Sequence, residues 1–175
     1  AGNRYLAEYA LKYNKKVVVI PTTIDTDYHK NTHSKSNDRI CIGWTGSHTT
    51  IQHFEHALPV LKKLKDKYGD KIYYKVIGDS KYENKDMGIR GTPWKIESEI
   101  KDLCEFDIGI MPLPDNEWAK GKCGLKGLQY MSLEIPCVMS PVGVNPEIVS
   151  DGVSGYLAGT EDEWLSKLSL LIENQ

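Results

Sequence analysis

Short apolar runs alternate with longer amphipathic segments through most of this chain, and that alternation limits the folds open to it. Several of the runs are rich in β-branched residues, as buried strands are. The segments between them place apolar residues at helical spacing. Strands that alternate with helices form parallel sheets with right-handed crossovers. The sequence therefore predicts an α/β fold, a Rossmann-like parallel sheet flanked by helices, with strands near residues 40, 72, 107, 137 and 156.

The stretch 112–147 contains the clearest strand, loop and helix unit. It follows an apolar run at 106–111 and is spaced by the glycines Gly121, Gly124 and Gly127. The pattern predicts a helix that begins near Gly124 and places Lys126 and Gln129 away from the core. The apolar stripe expected to face the core consists of Leu125, Leu128, Met131 and Ile135.

The start of this helix is a candidate anion site. The first backbone N–H groups of a helix have no intrahelical partner, and the helix dipole makes that end electropositive. Phosphate groups are therefore favoured there. Lys122 and Lys126 add two formal positive charges. The plainer alternative is a solvated, lysine-rich loop that precedes an ordinary core helix.

Composition narrows the class of protein. The 175 residues suffice for one domain and a connecting arm, and 40% of them are hydrophobic. The 22 basic and 24 acidic residues are well mixed, with a formal charge of −2. No basic field points to nucleic acid, so any phosphate binding must be local. No signal peptide or membrane-spanning run is visible.

The cysteines indicate a reducing compartment. They are widely spaced, and three of them lie in or beside apolar strands. That placement favours buried, reduced thiols over disulfides or a zinc site, and it predicts a cytoplasmic location. The residues are Cys41, Cys104, Cys123 and Cys137.

The first 38 residues differ from the rest. A short helix at 4–13 and a β-branched strand, Val17 to Ile20, precede a polar stretch, His29 to Asp38, which we interpret as a linker. We predict two parts: residues 1–38 as the remnant of a first domain with its linker, and residues 39–175 as a ligand-binding domain.

A second candidate edge of the site follows the strand at 39–44. The turn 45–50 joins that strand to an amphipathic helix predicted at 51–68, and such turns bind ligands in open α/β sheets. Thr45, Gly46 and Ser47 are the candidates here. The alternative is that Ser47 or Thr49 only caps the helix.

Two further positions lie near the same edge. Asp79 follows a strand at 71–77 and is a candidate ligand residue. Trp94 is the last residue of a segment, 87–94, that is predicted to form a loop into a strand or turn. Its ring either packs against a nucleotide base or belongs to the core. A helix is predicted at 96–104.

Three other motifs are weaker. Asp25 and Asp27 form an Asp-x-Asp pair that suits a divalent cation, but a linker turn explains it better. His53 and His56 lack a third metal ligand in register. The glycine-spaced segment at 121–127 is neither a dinucleotide fingerprint nor a Walker loop. No metal or other cofactor is expected.

Several sequence segments together resemble a known family. FDIGIMP at 106–112, Gly124-Leu125 with Leu128, and the segment 135–158 (IPCVMSPVGVNPEIVSDGVSGYLA) are similar to family-four glycosyltransferases. These are retaining enzymes that use nucleotide-sugar donors and have two Rossmann-like domains, the GT-B architecture. The resemblance lies in the C-terminal, donor-binding domain. It implies that the chain is one half of a GT-B fold.

The sequence departs from that family at its two Glu positions and in the turn 45–50. The family carries two Glu residues separated by seven others, the first contacting the donor sugar and the second the ribose. The corresponding residues here are Gly121 and Gln129. An amide still bonds ribose hydroxyls, whereas glycine offers no side chain. Acidic residues of the loop 112–120, Glu117 among them, are placed to replace the first Glu. The Arg and Lys with which relatives clamp the diphosphate in the turn 45–50 are absent.

The resemblance implies a metal-independent glycosyltransferase whose donor diphosphate rests on the helix at Gly124. The sugar passes to an acceptor hydroxyl held by a first domain, so this chain alone is expected to lack turnover. A catalytically silent nucleotide-sugar-binding module is the alternative, and peripheral membrane association stays open. Catalytic residues are unassigned. The predicted donor-binding residues are Thr45, Gly46, Ser47, Asp79, Glu117, Lys122, Cys123, Gly124, Leu125, Lys126 and Gln129.

Overall fold

A computed structural model describes residues 1–31 and 38–174. The strands are β1 (Ile40–Thr45), β2 (Ile72–Ile77), β3 (Glu83–Asn84), β4 (Ile89–Thr92), β5 (Ile108–Met111), β6 (Cys137–Met139) and β7 (Tyr156–Leu157). The helices are α1 (Arg4–Leu11), α2 (Ile51–Glu55), α3 (Leu58–Tyr68), α4 (Glu99–Leu103), α5 (Glu117–Lys120), α6 (Leu125–Ser132), α7 (Asn145–Ile148) and α8 (Glu161–Glu173).

The strands form one sheet in the order β3-β4-β2-β1-β5-β6-β7. Every neighbouring pair is parallel except β3 and β4, which are antiparallel. The predicted Rossmann-like parallel sheet is therefore confirmed. β1 lies in the middle, between β2 and β5, so the direction of strand order reverses at the β1/β5 boundary. Open α/β sheets bind their ligands at the carboxyl ends of the strands beside such a boundary.

Helices cover both faces of the sheet. On one face α2, α3 and α8 bury a cluster that includes Phe54, Leu61 and Trp164. On the other face α4 and α6 bury a second cluster with Leu103 and Tyr130. Burial of large apolar side chains on both faces is the main stabilising term of such a three-layer fold.

The helix predicted at 51–68 is broken in two, between Glu55 and Leu58. Pro59 explains the break. A proline ring lacks the N–H that would bond the carbonyl four residues earlier and collides with it, so a helix cannot run through that point. Pro59 instead occupies the first turn of α3, where the missing N–H has no intrahelical partner to lose.

Helix α6 begins at Leu125, one residue after Gly124, but the predicted apolar stripe is wrong at its first residue, since Leu125 is 46% exposed. Its later members do reach the core: Ile135 is buried, and Met131 packs against the second cluster. Within the helix the buried residues are Gly127, Gln129 and Tyr130. The helix lies close to the sheet because glycines face it. The Tyr130 ring crosses Gly109 of β5, and Gly127 faces the Met139 side chain of β6.

The predicted strand at Val17–Ile20 does not form. The segment lies outside the sheet, and its contacts are with the first residue: the Ala1 ammonium donates to the Val18 carbonyl at 2.8 Å, and the Ile20 N–H donates to the Ala1 carbonyl at 2.8 Å. A β-branched run needs the edge of a neighbouring strand to become part of a sheet.

Other sequence interpretations concern the chain as a whole. The linker predicted at 29–38 lies mostly on 32–37, outside the described residues. The boundary between 1–38 and 39–175 stays a prediction. All four cysteines are free thiols, and Cys41, Cys104 and Cys137 are buried. Among the helices of the described ranges, none has the length and apolarity needed to cross a bilayer.

We expect Gly109→Ala to destabilise the fold. A Cβ at residue 109 lies 2.5 Å from the Tyr130 ring, which is fully buried and has no free space to move into. Overpacking of this kind typically costs about 1–3 kcal/mol, measurable by urea unfolding. Gly121→Ala is the control, because Gly121 has an ordinary φ of −74° and the nearest atom to its added Cβ is 3.3 Å away. Equal stability of the two variants contradicts the packing account.

Candidate functional site

The candidate site lies at the carboxyl ends of β1 and β5, where the strand order reverses. The turn after β1 borders it on one side, and the loop from β5 to α6 borders it on the other. α6 points its N-terminus at this edge. Its N-cap residue, Gly124, has a left-handed φ of +72°. A Cβ at residue 124 meets the Ile148 side chain of α7 at 2.1 Å, so this close approach requires glycine.

Two lysines stand at the start of α6 without counterions. The Lys122 ammonium lies 4.3 Å from the centre of the Trp118 ring, and the Lys126 ammonium lies 5.4 Å from that of Trp44. Within the described part of the chain, neither lysine makes a salt bridge. Burial lowers the pKa of Lys126 to about 8, and the charge of Lys122 contributes to the shift. The α6 dipole disfavours these cations further, because it is positive at the same end. A bound anion would offset the burial of the Lys126 charge, its repulsion by Lys122 and the unfavourable helix dipole.

A buried histidine borders the lysines. His53 of α2 is 2% exposed and packs against Trp118, with ring centroids 5.1 Å apart. Neither ring nitrogen has a hydrogen-bond partner among the described residues. Burial lowers the pKa of His53 to about 4, and the charges of Lys122 and Lys126 add to the effect. The ring is therefore neutral at pH 7, and its free N–H adds a donor to this region without a third positive charge.

A cavity of about 230 Å³ opens beside Lys126. It gathers five of the predicted donor-binding residues, from the turn after β1 and from α6, together with Trp94. It also contains Glu99 of α4, which the sequence did not single out. The lining residues are Thr45, Gly46, Trp94, Glu99, Leu125, Lys126 and Gln129.

Glu99 is joined to two of its neighbours in this cavity. Gln129 Nε2 donates to Glu99 Oε1 at 3.1 Å, and Trp94 Nε1 donates to the same oxygen at 3.0 Å. The sequence offered only an acidic residue in the first turn of a predicted helix, which is common at helix starts. Nothing in a separation of 30 residues between Glu99 and Gln129 indicates that they touch.

Six of the predicted residues do not line this cavity: Lys122 and Gly124, described above, and four others. The Asp79 carboxylate accepts from the Lys81 N–H at 3.0 Å within a turn after β2. The Ser47 N–H donates to the Thr50 hydroxyl at 2.9 Å, inside the turn that precedes α2. Glu117 accepts a hydrogen bond from the Tyr5 hydroxyl, and the Cys123 thiol donates to the Gly121 carbonyl at 3.7 Å. All four stay predictions as ligand contacts.

The loop before α6 is also tied to the N-terminal segment. The buried side chain of Asn3 donates to the carbonyls of Lys120 and Lys122 at 3.1 and 3.0 Å, while its oxygen caps α1. Sequence patterns did not indicate this contact, since the two segments are more than 100 residues apart. The position of Lys122 thus depends on the first residues of the chain.

A larger cavity, about 540 Å³, lies at the ends of β5, β6 and β7. The described residues that line it include Asp115 and Glu161 and no lysine or arginine. Each of these carboxylates pairs with a lysine outside the lining, Asp115 with Lys120 at 3.4 Å and Glu161 with Lys63 at 2.6 Å. The described lining thus offers an anion no unpaired cation, so size alone does not identify the anion site. No group of three or more histidine, cysteine or acidic side chains in residues 1–31 and 38–174 is arranged to hold a metal ion.

We expect the neutral His53 to make the fold sensitive to acid. Its folded pKa of about 4 lies below the ordinary 6.5, so unfolding takes up a proton between those values and stability falls as pH drops from 6.5 towards 4. The full difference corresponds to roughly 3 kcal/mol. In His53→Phe this part of the pH dependence should disappear, as measured by urea unfolding from pH 7 to 4.5. His48→Phe, at an exposed position, is the control. Parallel pH curves for wild type and His53→Phe would refute the assignment.

Comparison with known proteins bears on the whole chain. No curated protein matches it in sequence. Anabaena Alr3699/HepE, solved in complex with UDP and glucose, superposes with a TM-score of 0.67 at 14% identity over 90% of this chain. The pneumococcal O-GlcNAc transferase GtfA, in complex with UDP and GlcNAc, gives 0.67 at 16% over 97%. The chain spans only 47% and 36% of their lengths.

A third structure matches in length as well. The C-terminal domain of LpcC, a glycosyl transferase group 1 family protein from Francisella tularensis, gives a TM-score of 0.59 at 20% identity. The match covers 86% of this chain and 88% of that domain. At these identities the structural likenesses establish the fold. In sequence, the family model for glycosyl transferases group 1 matches residues 39–174, and the chain therefore belongs to that family.

Proposed function

We propose that this chain is the donor-binding domain of a retaining, metal-independent glycosyltransferase. The domain binds a nucleotide-diphosphate-sugar, and the sugar is transferred to an acceptor hydroxyl. The observation that carries the proposal is the pair Lys122 and Lys126 at the N-terminus of α6, two cations that have no counterion among the described residues. A diphosphate supplies the negative charge that this arrangement lacks.

Structural relatives support the choice of ligand class. Alr3699/HepE and GtfA were solved with UDP and a sugar, and Alr3699/HepE also with UDP-glucose. UDP is therefore the first nucleotide to test here, with GDP and ADP beside it. A hexose is the natural first choice of transferred sugar, which makes the activity a hexosyltransferase.

The site residues can stabilise the leaving group directly. Departure of the sugar leaves negative charge on the diphosphate. The two ammonium groups and the free N–H groups at the start of α6 already point to this end, so little reorganisation is needed when that charge forms. Because the His53 ring is neutral, it neither repels the phosphate nor adds to the repulsion between the lysines. In this proposal the lysines and the helix N–H groups stabilise the leaving group without a metal ion.

The proposal assigns neither the contact with the donor sugar nor the acceptor site to residues of this chain. Gly121 has no side chain to contact the sugar, and the Glu117 carboxylate is bonded to Tyr5 and lies 3.8 Å from Lys120. Catalytic carboxylates are therefore left unassigned. In this proposal a first domain supplies the acceptor site, and the chain alone binds the donor without turnover. The enzyme acts in the cytoplasm in carbohydrate biosynthesis, and it associates peripherally with the membrane where the acceptor is membrane-linked.

A catalytically silent binding module is the second candidate. The engagement of Glu117 by Tyr5 favours it, because this removes the acidic residue best placed to replace the missing sugar contact. Transfer and donor-hydrolysis assays on a protein that includes a first domain separate the two functions. Sugar transfer supports the enzyme, and tight donor binding without transfer or hydrolysis supports the module.

We expect the double variant Lys122→Ala/Lys126→Ala to lose nucleoside diphosphate binding. Each change removes one charge-assisted contact, typically worth about 1.5–3 kcal/mol, or roughly tenfold to a hundredfold in affinity. Isothermal titration with UDP, GDP and ADP measures the loss. Lys62→Ala is the matched control, because Lys62 is exposed on α3, away from the site.

Unchanged affinity in the double variant would place the diphosphate elsewhere. The turn 45–50 would then be the better candidate, since its backbone and hydroxyl groups border the same edge of the sheet. Loss of affinity in Lys62→Ala to the same degree would reduce the result to a general effect of net charge.

A further inference from the structure

We propose that Glu99 is the residue that recognises the ribose of the donor, and so selects ribonucleotides. This rests on the proposed function and deepens it. In the proposed arrangement the diphosphate lies on Lys122 and Lys126, and the Glu99 carboxylate accepts hydrogen bonds from the ribose hydroxyls. Gln129 and Trp94 are positioning residues, which hold the carboxylate in place.

One oxygen of the Glu99 carboxylate accepts hydrogen bonds from the protein, and the other is available to a ligand. Glu99 Oε1 accepts from both Gln129 and Trp94. In the ranges 1–31 and 38–174, Oε2 accepts no hydrogen bond and no lysine or arginine pairs with Glu99. The side chain is half-buried and borders the 230 Å³ cavity. Oε2 is therefore open to accept hydrogen bonds from a ligand that brings hydroxyl donors into the cavity.

The two ends of the cavity carry opposite charge. A carboxylate accepts hydrogen bonds and repels phosphate, whereas an ammonium does the reverse. Lys126 and Gln129 are three residues apart on α6 and lie on the same face, about 5 Å apart along the helix axis. That is the scale on which a diphosphate and a ribose follow each other in a nucleotide. Trp94, 48% exposed at the rim, offers a ring for the base beyond them.

A chain of hydrogen bonds fixes the orientation of Gln129. The His29 Nδ1 lies 3.1 Å from the Asp25 carbonyl, so Nδ1 carries a hydrogen, and in the neutral ring the other nitrogen is an acceptor. That acceptor, His29 Nε2, lies 3.5 Å from Gln129 Nε2. The amide nitrogen therefore sits between two acceptors, His29 and Glu99, and uses both of its hydrogens. An amide at position 129 is required by this network.

The same network predicts the effect of charge at position 129. Glutamate there places a second carboxylate within hydrogen-bond distance of Glu99, and like charges at such separation disfavour each other. Gln129→Glu should therefore weaken UDP binding. The exchanged pair Glu99→Gln/Gln129→Glu restores one carboxylate and one amide, and it should recover part of the lost affinity.

The test compares three probes by isothermal titration: UDP, 2′,3′-dideoxy-UDP and inorganic pyrophosphate. Wild type should prefer UDP to the dideoxy nucleotide by about tenfold or more. Glu99→Ala should lose that preference while its pyrophosphate affinity stays the same or rises, since a negative charge has been removed. Glu97→Ala, an exposed acidic residue two positions earlier, is the matched control and should bind all three probes as wild type does.

Three results overturn the inference. If Glu99→Ala retains the wild-type ratio of UDP to dideoxy-UDP affinity, Glu99 does not contact the ribose although the diphosphate site stands. If Gln129→Glu and the exchanged pair bind UDP alike, Gln129 has no positioning role. If wild type binds neither UDP nor pyrophosphate, the proposed function is overturned as well. Unfolding curves recorded for each variant separate these results from loss of fold.

Discussion

The packing of Tyr130 across Gly109 holds the α6 helix against the sheet, and the site depends on it. The ring is fully buried and lies where any side chain on Gly109 would be. Its hydroxyl accepts from the Thr45 N–H at 3.4 Å and donates to the Ile110 carbonyl at 3.3 Å. One side chain thus joins α6 to both strands at the reversal of strand order. The N-terminus of α6 is held at the edge where such sheets bind ligands.

Electrostatics give this edge its chemistry. Two lysines that make no salt bridge within residues 1–31 and 38–174 lie at the positive end of a helix dipole, and each ammonium group stands over an aromatic ring. The neighbouring histidine stays neutral because burial and the lysines lower its pKa. A carboxylate stands at the other end of a small cavity, held by an amide and an indole. The arrangement suits a ligand that is anionic at one end and rich in hydroxyl groups at the other.

The sequence was sufficient for the fold, while the donor-binding site stays a prediction. Alternating strands and helices predicted the sheet, and the glycine pattern placed the start of α6 within one residue of Leu125. The exposed position of Leu125 was not predictable, because the packing of α6 is set by Gly109 and Met139, which are distant in sequence. Pro59 indicates a break in the helix predicted at 51–68, but the apolar periodicity favoured a continuous helix. Glu99 and Asn3 were missed because their partners lie far along the chain.

The proposed function depends on a nucleoside diphosphate binding at the N-terminus of α6. A structure of this protein from crystals soaked with UDP is the most direct test. We expect phosphate oxygens within about 3 Å of the Lys122 and Lys126 ammonium groups and of backbone N–H groups at the start of the helix. Density for the diphosphate in the 540 Å³ cavity beside Asp115 and Glu161, with both lysines still unpaired, would contradict it.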